Sequence, residues 1–499
     1  MEGAKKILVI GSGPGGSGVA AVLAARGHEV DLLERNPFPG GKCASFEKEG
    51  YIVDTGVHMF SMGPYGPHGD VARMAGGEAE WVARNPAVDI INCDHVLWRV
   101  YQNMLGPRGI CWLGSSLARG MFAQRKSARG ASDGRKLLGR ETYRATKKYG
   151  PLEALRTLAR IVRLNPGLVD ELDDVTLQEF AHGLWDENAF LQELAHICMV
   201  LMVVPYDRAS AGEFLVCFGQ MLQKQALSVP KGGSREVTGS FIRGLRKSGG
   251  VLKLGREVTR IVVENGRVTG VECADGESFT SDVVISNAGI KRTVELAGEE
   301  NFPGEYVEYV KGLEYSYSFI TTKFGLDRRV IEAVAPCISV TPYVHPDHMF
   351  DYIDEETAPV DPMLYMPIPT EWDEYAAPPG KQLVIMGVPG PIEATPENIE
   401  QCEKILERGE ERLFELFPRL PRHIEWKMRN HVGHTAALTG KPTGECIGLA
   451  QCVGQTGRHK PSPKTPVEGL WLVGADAGGR GVGTEQASAS AIYVAGLVD

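Results

Sequence analysis

Lys5-Lys6-Ile7-Leu8-Val9-Ile10-Gly11-Ser12-Gly13-Pro14-Gly15-Gly16 is the stretch on which the fold turns. An unbroken apolar run that stops at glycine predicts a strand of a parallel sheet, buried on both faces. Ser17 to Arg26 is Ala-rich and predicts a helix, which Gly27-His28 ends, and Glu29 to Glu34 predicts a second strand. Strand, glycine turn, helix and strand make one βαβ unit. Gly11 suits the tight turn, Gly13 lets a pyrophosphate approach the backbone, and Gly16 lets the helix pack close to the strand. The helix N-terminus offers free N–H groups and a partial positive charge to phosphate. Glu34 falls 18 residues after Gly16, at the end of the second strand. A carboxylate there accepts from both ribose hydroxyls and disfavours a 2′-phosphate. Motif, strand, helix and acid together predict a dinucleotide site.

Two further stretches favour FAD over NAD. Arg35-Asn36-Pro37-Phe38-Pro39-Gly40-Gly41-Lys42 follows the acid, and its Gly-Gly pair allows a second close approach to a pyrophosphate. Near the other end, Val467 to Asp476 reads as turn, strand, then Gly474-Ala475-Asp476. Ala477-Gly478-Gly479-Arg480-Gly481-Val482-Gly483-Thr484-Glu485 follows, and a small-residue helix over Gln486 to Leu497 closes the chain. Five of the seven residues from Gly474 to Arg480 are Gly or Ala, which lets backbone and a helix N-terminus lie against a flat ligand. Asp476 is placed to accept from a ribityl hydroxyl.

With these pieces the chain resembles the FAD-dependent oxidoreductases that include phytoene desaturases, carotenoid isomerases, retinol saturases and amine oxidases. Also matching are Asp54-Thr55-Gly56-Val57-His58, Val229-Pro230-Lys231-Gly232-Gly233, Gly255 to Ile261 and Val283 to Ala288. The Asp-x-Gly-x-His and Pro-x-Gly-Gly segments look most like the phytoene desaturase and retinol saturase branch. The resemblance implies an α/β fold: a discontinuous Rossmann-like FAD domain with an inserted α+β substrate domain. It implies a cofactor set of Gly11, Gly13, Pro14, Gly15, Gly16, Glu34, Arg35, Gly40, Gly41, Lys42, His58, Val258, Gly474, Asp476, Gly481, Val482, Gly483 and Thr484. Glu34 would hold the adenosine ribose, the Val258 backbone the adenine, and the Gly478–Gly483 turn the flavin ring. Lys42 would meet phosphate as a point charge. His58 would lie near the flavin, as an acid/base or as a structural histidine.

The domains expected are 1–100, 226–300 and 436–499 for FAD, and 101–225 with 305–435 for substrate, the first of these inserts mostly helical. Glu264-Asn265-Gly266 and Ala274-Asp275-Gly276 predict hairpin turns, and a helix is predicted over about Pro396 to Glu415. A second G-x-G-x-x-G is absent, which argues against a built-in nicotinamide domain and leaves the electron acceptor or donor open.

Composition narrows the classes further. Lys+Arg 53 against Asp+Glu 63 gives a net charge of −10 over 499 residues, a poor match to a nucleic-acid binder. Gly and Pro make up about 18 % of the chain, below the level that signals disorder. The N-terminus shows no signal-peptide pattern, no run is long enough to span a bilayer, and the ten cysteines lack C-x-x-C spacing. A cytoplasmic chain with reduced thiols is expected, and no metal. Against that acidic background, residues 119–163 hold 13 Lys and Arg and three Asp and Glu. Leu152, Leu155, Leu158, Ala159 and Val162 make an apolar stripe there, open to three readings: a solvated surface, a contact with the membrane inner face, or a patch for an anionic ligand. Tyr315, Tyr317 and Phe319 alternate, as on one face of a strand that lines a core or an apolar cavity. His345-Pro346-Asp347-His348 reads as a surface turn.

The chemistry expected is hydride exchange with flavin N5 at a carbon–carbon bond of an apolar, polyene or lipid-like molecule. The alternatives are an amine oxidase, or a non-catalytic lipid binder of the Rab GDP-dissociation-inhibitor type.

Overall fold

The computed structural model describes residues 3–56, 58–92, 95–102, 166–184, 190–222 and 227–498. The basic stretch 119–163 lies outside them. The chain forms two compact units, Met1–Val82 with Ser228–Ser316 and Gly433–Asp499, and Ala83–Leu227 with Tyr317–Val432.

The first unit is built on β1 (Lys6–Ile10), α1 (Pro14–Ala25), β2 (Glu29–Glu34), β3 (Val251–Leu254), β4 (Val283–Ser286), α2 (Ile290–Ala297), β5 (Leu470–Leu472) and α3 (Gly483–Val498). The five strands make a parallel sheet in the order β5-β4-β1-β2-β3. The unbroken apolar run of β1 is explained by its two covers. Ile7 and Val9 pack into a cluster with α1 and α3 residues such as Val22 and Val494, while Leu8 and Ile10 join Ile290 and Val294 of α2 on the opposite face. Each face removes its side chains from water, so neither can be polar. Strand order reverses between β1 and β4, and in such sheets ligands bind outside the carboxyl ends at that crevice.

A three-stranded antiparallel sheet, Val258–Glu264, Arg267–Cys273 and Ser278–Thr280, belongs to the same unit. Its first hairpin closes on Asn265 (φ 52°) and Gly266 (φ 77°), both left-handed, the signature of a tight two-residue turn.

The second unit carries a seven-stranded mixed sheet. Its longest ladder pairs Ser318–Leu326 with Gln382–Gly390 over nine residues. Helices Leu177–Leu184, Phe190–Met202, Ala211–Met221 and Pro396–Leu416 accompany it. The last begins on Thr395, whose hydroxyl accepts the Asn398 N–H at 3.2 Å.

Two sequence expectations change here. Residues 88–100, assigned to the FAD domain, instead form two strands of the second unit's sheet, because Val88–Asn92 pairs in parallel with Cys337–Val340. The aromatic alternation at 315–319 is not one strand face, since the chain passes between units after Ser316 and the strand starts at Ser318. Tyr315 bridges to Leu449, Tyr317 donates its hydroxyl to Asp354 at 2.9 Å, and Phe319 meets Tyr365 edge-on at 5.8 Å. Among the described residues no helix is long and apolar enough to cross a membrane.

Candidate functional site

The glycine turn sits at the carboxyl end of β1. A Cβ on Gly16 would lie 1.9 Å from the Gly11 carbonyl oxygen, so only glycine lets α1 start this close to the strand. Gly13 caps α1 without a side-chain hydrogen bond, Pro14 is its first residue, and its first turn holds no acid. The helix therefore directs N–H groups and positive potential outward with no acid of its own first turn to offset them. Gly13 and Gly15 both face the Asn287 side chain, and Gly474 lies against Gly15. At Gly474 (φ +120°) a Cβ would fall 2.5 Å from Asn287 Oδ1. Three strand ends, those of β1, β4 and β5, thus meet around one side chain. Asn287 lies inside a matched segment of the sequence, but nothing local assigns it this place.

Glu34 is buried at the end of β2. Its Oε2 accepts the Ser12 N–H at 2.9 Å and hydroxyl at 2.6 Å, and its Oε1 accepts the Asn36 N–H and Nδ2–H, both at 2.9 Å. The Gly40 N–H donates to Ser12 Oγ at 3.1 Å. A Cβ on Gly41 would reach Gly13 Cα at 3.7 Å, so the Gly-Gly pair does come up against the first turn. Four donors occupy the lone-pair positions of a carboxylate. A ribose hydroxyl would reach Glu34 by replacing one of them, and the side chains of Ser12 and Asn36 are the movable ones. Val258 is buried with Leu33 beside this corner, where the Arg256 N–H donates to the Glu34 carbonyl at 2.8 Å. Arg35 turns aside, its NH1 donating to the Ala437 carbonyl at 3.3 Å and its Nε lying 3.7 Å from Glu257.

Lys42 is committed to Glu445, donating to its main-chain oxygen at 2.5 Å and to its Oε1 at 3.2 Å. Lys441 donates to the same Oε1 at 2.9 Å, and Thr443 to Oε2 at 2.6 Å. Burial would raise the Glu445 carboxyl, but Lys42 and Lys441 outweigh it and hold it at about 2. Asp476 accepts the Ile290 N–H at Oδ2 and the Leu449 N–H at Oδ1, both at 3.1 Å, and so caps the start of α2.

His58 is buried, with Nδ1 3.8 Å from Asp54 Oδ2. Asp54 Oδ1 also accepts the Ser45 hydroxyl at 2.6 Å and the Ser234 N–H at 2.8 Å. Burial works against the Asp54 charge, yet His58, Ser45 and Ser234 keep its pKa below the ordinary value. The Asp-x-Gly-x-His motif therefore ties the hairpin Ser45–Asp54 to the glycine turn at Gly233. Glu485, unremarked in the sequence, extends this support: its Oε1 accepts the Ser61 N–H at 2.5 Å and the Met62 N–H at 3.3 Å.

Gly481, Val482, Gly483 and Thr484 form the approach to α3. Gly481 lies against Gln486 and Gly483 against Ile447, and the Thr484 hydroxyl donates to Glu485 Oε2 at 3.3 Å. Gln486 is wholly buried; its Oε1 accepts from Lys460 at 3.1 Å, while its Nε2 has no partner among the described residues. An orphaned buried donor beside a glycine turn, together with the Gly13–Gly41 cradle, fits a ligand rich in acceptors, as a flavin dinucleotide is. His345 lies elsewhere, capping a short turn through the Asp347 N–H at 3.3 Å, and His348 pairs with Asp351 at 2.8 Å.

Comparison with known proteins gives the family and the cofactor. The family model for flavin-containing amine oxidoreductases matches residues 19–499. A zeta-carotene-forming phytoene desaturase of Myxococcus xanthus is 27 % identical, over 94 % of this chain and 89 % of its own. The chloroplastic prolycopene isomerase of Arabidopsis thaliana is 25 % identical, over 94 % and 78 %. Among solved structures, an oxidoreductase from Methanosarcina mazei superposes with a TM-score of 0.70 at 21 % identity, covering 98 % of this chain and 99 % of that one. The chain belongs to the flavin-containing amine oxidoreductase family and is an FAD-dependent oxidoreductase.

Proposed function

We propose that this enzyme exchanges hydride between flavin N5 and a carbon–carbon bond of an apolar polyene or lipid-like substrate, desaturating, saturating or isomerising it. The observation that carries the reading is the end-to-end similarity to a carotene-forming desaturase and a prolycopene isomerase. The flavin supplies hydride acceptance or donation; the protein binds it, orients it and sets its electrostatics.

In this reading the N-terminus of α1 takes the pyrophosphate, with Gly13, Gly15 and Gly41 leaving room for it. Glu34 and Ser12 hold the adenosine ribose, and Asp476 fixes the α2 and Leu449 backbone that flanks the ribityl chain. The Gly481–Thr484 turn and Gln486 meet the ring. His58 acts as a positioning group, because its ring is buried on Asp54 and its segment is tied to Glu485. A polyene resides in lipid, so peripheral membrane contact goes with the reading.

The test is anaerobic turnover by the FAD-loaded enzyme, first oxidised and then reduced with dithionite. Phytoene and prolycopene are presented in phosphatidylcholine vesicles, and amines in buffer. A changed polyene chromophore supports the proposal. Flavin bleaching by amines with inert carotenoids overturns it.

A further inference from the structure

The Lys42–Glu445–Lys441 cluster is more elaborate than fastening a loop requires. One carboxylate, with no accessible side-chain surface, is shared by two lysines whose side chains keep 23 % and 13 % of theirs. Both lysine side chains thus keep some accessible surface while that of their shared anchor is sealed. Lys441 has three N–H donors. Among the described residues one goes to Glu445, and the ammonium also stands 5.5 Å from the Tyr315 ring centroid. A flexible lysine held by a rigid anion and an aromatic face has a fixed position.

That position belongs to the cofactor crevice. A Cβ on Gly289 would meet Lys441 Nζ and Asp476 Oδ2, each at 2.8 Å. Gly289 directly follows the Asn287 corner at the end of β4, and Asp476 follows Gly474 at the end of β5. Lys441 is thereby placed at the carboxyl ends of the two strands on the far side of the switch point from β2. Lys42 enters the cluster from the opposite side, directly after the Gly40–Gly41 pair. Among the described residues Asp476 accepts from two backbone N–H groups and makes no hydrogen bond with Lys441, whose one side-chain hydrogen bond goes to Glu445.

We propose that Lys441 is a cofactor-facing cation: anchored on Glu445 beside Asp476, it holds an electronegative atom of the bound flavin nucleotide and favours the reduced, more negative state of the ring. The inference rests on the FAD reading above and adds to it a residue that sets the potential. Near a low-dielectric wall a fixed positive charge acts on a neighbouring charge far more strongly than in water.

The experiment uses the full-length enzyme loaded with FAD and equilibrated with a reference dye during slow reduction, alongside a fluorescence titration of FAD into the apoprotein. Lys441→Met is expected to shift the two-electron equilibrium at least tenfold toward oxidised flavin, about 30 mV more negative. Lys441→Arg, which keeps the charge, stays within about threefold of the wild type. If Lys441→Met releases FAD, the same cation is read from affinity: a loss of tenfold or more that Lys441→Arg restores supports the proposal, and equal losses in both overturn it. FAD-loaded Lys441→Met with an unmoved potential and affinity also overturns it and leaves the FAD reading intact. A wild-type chain that takes up no FAD refutes the FAD reading itself, and this inference with it.

Discussion

The Glu485 carboxylate accepts the backbone N–H of Ser61 at 2.5 Å, joining positions 424 residues apart. It ties the first turn of α3 to the segment that carries His58. Burial raises the Glu485 pKa above its ordinary value, only partly offset by the Met62 and Ser61 N–H groups. A carboxyl whose folded pKa is raised stabilises the fold below its unfolded pKa, and that contribution is lost as pH rises through the folded value. Glu485→Gln keeps an acceptor oxygen and has no charge to bury. The stability of this variant relative to wild type is expected to improve as pH rises from 4 to 8, read as the difference in melting temperature at each pH. Glu485→Ala strands two N–H groups and costs about 1–3 kcal/mol throughout.

Gly16→Ala tests the cradle. Its Cβ would fall 1.9 Å from a backbone carbonyl, which no side-chain rotation relieves. Overpacking of this kind costs about 1–3 kcal/mol or more, and here it moves α1 away from β1. The expected outcome is a lower melting temperature with loss of bound FAD, read from the flavin absorbance of the purified protein. An alanine variant that retains its flavin contradicts the geometry.

What the sequence makes legible and what it hides differ in range. β1 is legible because four consecutive apolar residues need cover on both faces, and Asn265-Gly266 because both residues adopt positive φ. Glu34 is legible from its distance to the glycine turn. Asn287, Lys441, Glu445 and Glu485 carry no such local mark. Lys441 and Glu445 are four residues apart, but Glu445 meets Lys42, Glu485 meets Ser61 and Asn287 meets Gly13 across hundreds of residues, which no local pattern reports. Period-two spacing at Tyr315, Tyr317 and Phe319 misleads for a related reason: local alternation cannot report that the chain changes unit at Ser316.

Glu445 predicts an acid-labile step. Its pKa lies at about 2 against an ordinary 4.5, held down by Lys42 and Lys441 against burial. A depressed carboxyl stabilises above its unfolded pKa, and that stability fades as pH falls through 4.5 toward 2. The linked contribution is on the order of 3 kcal/mol. Glu445→Gln removes it and leaves two lysines without their anion, so about 3–5 kcal/mol is lost at neutral pH. Denaturant midpoints at pH 7 and pH 3 should therefore converge for the variant and the wild type at the lower pH. A constant gap between them would show that the charge pair is not what Glu445 contributes.

His68 gives a titration that should be missing. Its ring is buried, with Nδ1 2.8 Å from Ser488 Oγ and its face stacked near Trp81, and desolvation pulls its pKa from 6.5 to about 3. A histidine depressed in the fold stays neutral through the physiological range and costs stability as pH falls from 6.5 toward 3, where the unfolded chain takes up the proton first. The His68 ring resonances should stay constant between pH 5 and 8, and His68→Gln should flatten part of the stability loss over pH 6.5 to 4. A His68 midpoint near 6.5 would mean that water reaches the ring.

Gln486 yields the most direct cofactor measurement. Lys460 donates to Oε1 at 3.1 Å, which fixes which end of the amide is oxygen and leaves Nε2 as a buried donor without an acceptor among the described residues. An unmet buried donor costs free energy in the apoprotein, and the bound flavin's acceptor atoms would recover it. Gln486→Leu should therefore hold or raise the melting temperature of the flavin-free protein while weakening FAD binding about two- to tenfold, the worth of one hydrogen bond. Calorimetric titration of FAD into both proteins reads the second effect and thermal unfolding the first. Unchanged affinity in the leucine variant would place the amide against protein or water rather than against the ring.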